Sequence, residues 1–288
     1  MNIFLISGLL LISLLLLITF IKKMSPWKYA FMLVFIALVT CGAFLMDNSD
    51  NQVAKAVETI KNFVNRSDNE ALSALPDDRD FSIIKIEPNV LLDAPAVSQF
   101  PELPRGCEVT SLAMLLQAAN VQVDKMTLAE QIKKDPTPFQ ISGGQIFFGN
   151  PHDGFVGSMY SYHEPGLGVY HEPIAQLAET YLPGKILDMT GSRFEELKIH
   201  LSDGRPVWVI TNTRYKKLEN SQFQTWNTPT GQVKVTAREH SVLITGYDQD
   251  FVYFNDPLSG EKNKKAPITD FEQAWVQMGS QAITFLSR

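Results

Sequence analysis

Two apolar runs, residues 3–21 and 29–46, constrain this 288-residue chain before anything else does. Each is free of charged side chains and long enough to cross the hydrocarbon of a bilayer as a helix. The connector between them carries Lys22, Lys23 and Lys28 beside Ser25 and Pro26. Cationic loops stay on the cytoplasmic side, so the two runs are expected to form a transmembrane hairpin with both ends pointing outward. The rest of the chain is then extracytoplasmic and anchored at the cell membrane.

Two other readings share that sidedness. The first run can be a signal sequence that is removed. Alternatively, Leu38-Val39-Thr40-Cys41-Gly42 loosely matches a lipid-attachment cleavage site, although Thr40 is a poor residue there and Ala43 to Met46 continue the apolar run. In the hairpin reading Cys41 has no chemistry. Residues 47–80 read as a juxtamembrane linker, in which Val53, Val57, Ile60, Phe63 and Val64 mark a short amphipathic helix. Its pairing with a second copy is left open by the sequence, as is the oligomeric state.

Residues 81–288 are long enough to bury a single core. Helical periodicity falls early, at 107–117, 127–134, 174–182 and 193–201. Thr127 and Glu130 suggest a capping box. Strand signals fall at 82–87, 90–92 and 205–211, and 240–247 with 251–256 form a hairpin around Asp248-Gln249-Asp250. This order predicts an α+β fold. The formal charge is −6, with no basic cluster outside the membrane connector, so nucleic acid is not an expected partner. Two cysteines, one in a membrane run, cannot build a disulfide framework.

The remaining cysteine, Cys107, stands where a loop marked by Pro104 and Gly106 becomes a helix with the stripe Val109, Leu112, Ala113, Leu115 and Leu116. Unpaired N–H groups and the positive dipole end favour an anion there. The position is expected to lower the thiol pKa and favour a nucleophile. A small buried residue packing a helix start is the other reading.

A cysteine nucleophile needs a base, and the base an orienting group. If the hairpin turns near Gln249, position i faces about 498 − i. Asp256 then faces Val242, and His240 is its diagonal neighbour on the same face of the sheet. A carboxylate so placed fixes the imidazole tautomer. The plainer alternative is a strand-capping His240 and an Asp256 that opens an Asp-Pro turn. Gln99, eight residues before Cys107, offers a side-chain amide.

The ordered set Gln99, Gly106-Cys107-Glu108-Val109-Thr110-Ser111-Leu112, His240 and Asn255-Asp256-Pro257 resembles the C39-like group of papain-fold bacterial cysteine peptidases. Residues 149–158 and 168–174 are similar to the same subgroup. The resemblance spans roughly residues 91–286 and implies a papain-like fold, with a helical lobe and an antiparallel sheet lobe. It also implies that Cys107 is the nucleophile, His240 the general base, Asp256 its orienter and Gln99 the oxyanion donor, with no cofactor. The expected function is hydrolysis of peptide bonds at the cell surface through a thioester. A cell-wall peptide transpeptidase or amidase, or a non-catalytic binding domain, are the alternatives. The gap from Gln99 to Cys107 is longer than usual, and Glu108 replaces the glycine of the bacteriocin-processing branch. No Walker loop occurs, so leader cleavage by an exporter is not implied.

His152-Asp153, His163-Glu164 and His171-Glu172 lack an i, i+4 histidine pair or companion cysteines, so no metal site is expected. The glycine- and aromatic-rich residues 142–170 read either as a wall of a substrate groove or as a loop packed by its own aromatics. Trp208 is expected in the core, and Trp226 in a loop near His240.

Overall fold

The computed structural model describes residues 85–286. The expected transmembrane hairpin, the linker helix and the strand at 82–87, apart from its last residues, lie outside them. Among the described residues no helix is long and apolar enough to cross a membrane.

The chain folds around β10, Glu239–Tyr247, whose nine residues are all buried. On one side it pairs antiparallel with β7, Val207–Asn212, and on the other with β11, Phe251–Asp256. Beyond β7 lie β13, Ala282–Phe285, and β6, Ile186–Asp188; beyond β11 lies β12, Glu261–Pro267. A short β1, Val90–Leu91, pairs with the far end of β10, opposite Gly246 and Tyr247. Gly246 is required there, because a Cβ would overlap the Val90 carbonyl oxygen.

Helices cover both faces of this sheet. On one, α1 (Cys107–Ala118), α2 (Lys125–Gln131) and α3 (His171–Tyr181) pack with Trp208, Ile210, Leu243 and Ile283. On the other, α4 (Phe194–Ser202) and α5 (Ile268–Gln277) pack with Val207, Val209, Val242, Ile244 and Phe254. The alternation along β7 and β10 therefore divides the two cores. The helices flank the sheet on both faces instead of forming one lobe opposite it. Trp208 is fully buried, as expected, and its indole N–H donates to the Glu108 carbonyl at 3.0 Å, fixing α1 to the sheet.

Several local readings need correction. Asp124, not Thr127, caps α2, accepting from the N–H groups of Met126 and Thr127 at 2.8 and 2.9 Å. Its carboxylate reaches two orphan donors, and the helix starts earlier. Residues 142–170 contain strands. β3 (Gln140–Ser142) pairs with β4 (Gln145–Phe147), and β5 (Phe155–Val156) pairs in parallel with β2 (Lys134–Asp135). Trp226 sits not in a loop but on β8 (Gln224–Thr228), which pairs with β9 (Gly231–Val235). It is buried against Phe148 and donates to the Gly149 carbonyl at 3.0 Å.

Candidate active site

Cys107 is the first residue of α1 and is 93% buried, with Gly106 as the N-cap. Gly106 has no room for a side chain, since a Cβ would lie 3.0 Å from Leu103 Cδ1 and closer still to its Cβ. Cys107 and His240 line one cleft of about 370 Å³, together with Gln99, Tyr162, Leu167 and Glu239. Residues 142–170 contribute to the cleft wall, and their aromatics pack on residues outside the segment more than on one another. Tyr162 and Leu167 face the cleft, whereas Phe148 packs with Phe139 and Trp226 in a separate cluster. The cleft wall is tied down where the Tyr162 hydroxyl donates to the Pro104 carbonyl at 2.6 Å and Arg105 stacks 5.0 Å from the Tyr162 ring.

The hairpin has the expected register at its site end: Leu243 faces Asn255 and Ile244 faces Phe254. A bulge between Ile244 and Gly246 shifts it only towards the turn. His240 Nε2 and Asp256 Oδ1 lie 2.7 Å apart, both buried. With Nε2–H donating to the carboxylate, Nδ1 carries the lone pair of a base.

Asp256 is the hub of a network that the sequence reading did not include. Oδ1 also accepts from the Leu258 N–H at 2.9 Å. Oδ2 accepts from Tyr215 Oη at 2.8 Å, Ser259 Oγ at 2.9 Å and Lys264 Nζ at 2.7 Å. Burial alone would raise this carboxyl, but His240, Lys264 and Tyr215 outweigh it and hold it far below the usual range. Tyr215, pushed up by burial and by Asp256, stays a neutral donor. It also packs on Phe254 and Phe271. Tyr215 and Lys264 lie 41 and 8 positions from Asp256, so no local motif announces them.

The thiol departs from expectation. Burial pushes Cys107 well above the ordinary thiol value, and the carboxyls of Glu108 and Glu239 add to this, against a hydrogen bond from the Ser241 backbone. These effects act against the helix start, which favours the thiolate. Glu108 Oε2 lies 3.4 Å from Sγ, and Oε1 accepts from the Val169 N–H at 2.8 Å. Burial raises Glu108 to about 7 and, with Glu108 beside it, raises Glu239 well above the carboxylate range. Gly168 makes room for the pair, because a Cβ there would overlap Glu108 Oε1 and come within 2.9 Å of Glu239 Oε2.

A raised carboxyl binds its proton more tightly in the folded chain. The stability it contributes is therefore full below about 4.5, its ordinary value, and is lost as the pH rises through about 7. Glu108→Gln should lack this loss and melt higher than the parent at pH 8 but not at pH 4.5. The same variant should shift the iodoacetamide alkylation profile of Cys107 to lower pH, since the neighbouring charge is gone. A melting difference that does not grow with pH, or an unmoved profile, would contradict the assignment.

Gln99 is 99% buried and lines the cleft, but its amide nitrogen donates to the Leu103 and Pro104 carbonyls at 3.2 and 2.7 Å. To serve an oxyanion it would have to exchange one of these partners. Its Oε1 has no partner among the described residues.

Residues 91–283 match the Peptidase_C39 like family. The chain is 50% identical over 183 residues to the uncharacterized protein YvpB of Bacillus subtilis (strain 168), a stretch covering 64% of this chain and 70% of that protein. It is similar, at 50% identity and a TM-score of 0.66, to the crystal structure of a "putative C39-like peptidase" from Bacillus anthracis. That likeness covers 70% of this chain and 99% of the other.

Proposed function

We propose, since the chain belongs to the Peptidase_C39 like family, that it is a cysteine peptidase with Cys107 as nucleophile and His240 and Asp256 as base and orienter. The observation that carries the reading is the buried 2.7 Å contact of His240 with Asp256, on a cleft that Cys107 also lines. Because burial and two carboxyls oppose a standing thiolate, His240 takes the thiol proton as sulfur attacks the substrate carbonyl. The carbon–sulfur bond forms and the oxyanion is met by the Cys107 N–H, which has no acceptor among the described residues, with Gln99 beside it. His240 returns the proton to the leaving amine, and the thioester remains. Water, deprotonated by His240, then releases the acid and restores the thiol.

The substrate is a peptide or protein at the cell surface, and the apolar runs at 3–21 and 29–46 hold the domain on the outer side of the membrane. Lys22, Lys23 and Lys28 support that orientation. The test needs no substrate. At pH 7.5, His240→Ala should slow Cys107 alkylation by iodoacetamide about 100-fold, the scale of general base catalysis. An unchanged rate in a folded His240→Ala chain would dissolve the pair and favour a non-catalytic binding domain.

A further inference from the structure

Away from the cleft, His152 converges on one point with two side chains about twenty positions further along the chain. His152 lies in the loop after β4, and His171 and Glu172 open α3. His152 Nδ1 is 2.8 Å and His171 Nε2 is 3.2 Å from the same oxygen, Glu172 Oε1. All three donor atoms lie within 4.8 Å of one another. We propose that His152, His171 and Glu172 bind a single Zn²⁺ ion, with Asp188 as the positioning residue for His171.

Two imidazoles and a carboxylate are the donor set that suits zinc, and three protein ligands leave a fourth position for water. Asp188 Oδ2 sits 2.6 Å from His171 Nδ1. A proton held there fixes the tautomer that presents the Nε2 lone pair to the ion, the arrangement in which a second carboxylate supports a metal-bound histidine. The backbone is held as well. The Tyr170 N–H donates to the Pro151 carbonyl at 2.8 Å, the His171 N–H to Gln281 Oε1 at 3.0 Å, and the His152 N–H to Asn150 Oδ1 at 3.1 Å. Two carboxylates, Glu172 and Asp188, give the cluster the negative charge that a dication needs. Sequence spacing does not announce this cluster, for a definite reason. The ligands are not on one helix, and only the return of the chain from the loop to α3 joins them. The ion would clip the base of residues 153–170, the segment that brings Tyr162 and Leu167 to the cleft.

The test is calorimetric titration of Zn²⁺ alone into the tag-free full chain in detergent, freed of metal by chelator and carrying Cys41→Ser and Cys107→Ser. One equivalent should bind. His171→Ala and Glu172→Gln should abolish the heat, and Asp188→Asn, which keeps all three ligands, should weaken binding about 10–100-fold. His163→Ala should change nothing. Should His171→Ala fail to fold, His152→Gln, on a partly exposed loop, replaces it. Absence of Zn²⁺ binding to the parent would overturn the proposal. So would an affinity that a folded His152→Gln or His171→Ala leaves unchanged.

Discussion

Cys107→Ala is expected to lower peptide hydrolysis by about four to six orders of magnitude, because removal of a covalent nucleophile leaves only binding and oxyanion contacts. The fold should be nearly unaffected. The sulfur is buried, but its polar contacts, with Glu108 Oε2 at 3.4 Å and with the Ser241 backbone, are weak thiol hydrogen bonds, while the α1 stripe and the Trp208 bond to Glu108 are untouched. Alanine also suits a helix start. The measurement is mass-spectrometric cleavage of a peptide mixture by parent and variant at matched concentration, with melting temperatures beside it. Any peptide the parent cuts should survive the variant. Parent-like cleavage by a folded Cys107→Ala chain would remove Cys107 from the mechanism. Cleavage by neither, with an inert thiol in the parent, would point to the binding-domain reading.

What the sequence made legible, and what it hid, follows from range. The start of α1 at Cys107 and the register of β10 on β11 are local properties, written in a glycine-marked loop, an apolar stripe and a tight turn. The capping of α2 was misplaced by one competing side chain, Asp124. β12 was missed because it is a charged edge strand, Glu-Lys-Asn-Lys-Lys at 261–265, whose exposed face carries no apolar alternation. β8 and β9 bury mainly Trp226, Val233 and Val235, too few positions to stand out. β10 shows no alternation of buried and exposed positions, because helices cover both its faces. At the site, the His240–Asp256 pair was readable from strand parity, since both lie on one hairpin. The environment that sets their chemistry was not. Tyr215, Lys264, Glu239 and the room left by Gly168 come from four separate segments. The thiol pKa shows the consequence: a helix start read alone predicts a lowered value, and the burial that opposes it, with the carboxyl of Glu239 beside that of Glu108, comes from tertiary folding.

Asp256→Ala should be costly twice. In the folded chain this carboxylate, 1% exposed, takes five hydrogen bonds, from His240, Tyr215, Leu258, Ser259 and Lys264. Alanine leaves a buried imidazole, a half-buried hydroxyl and an ammonium without their acceptor. Removing one partner of a buried pair costs about 3–5 kcal/mol, and the lower end applies because Lys264 retains 28% exposure. For a domain of this size about 3 kcal/mol lowers the melting temperature by roughly 10 °C. The acid limb should change too. Asp256 is depressed in the folded chain, so its contribution is present above its ordinary value of 3.8 and is lost as the pH falls below that towards the folded value. The parent should therefore lose stability steeply below about pH 4, and Asp256→Ala should show a shallower fall there. Asp256→Asn separates the two roles. Its amide oxygen still accepts the His240 Nε2–H, so part of the hydrolytic rate should survive. Its NH₂ group, however, faces Lys264 and Tyr215 with donors where they need an acceptor, so most of the melting loss should remain. Equal melting of Asp256→Asn and the parent would mean that the Lys264 and Tyr215 contacts do not hold the carboxylate. A melting loss in Asp256→Ala under about 1 kcal/mol, the size of an ordinary single hydrogen bond, would mean that the network has little energetic weight.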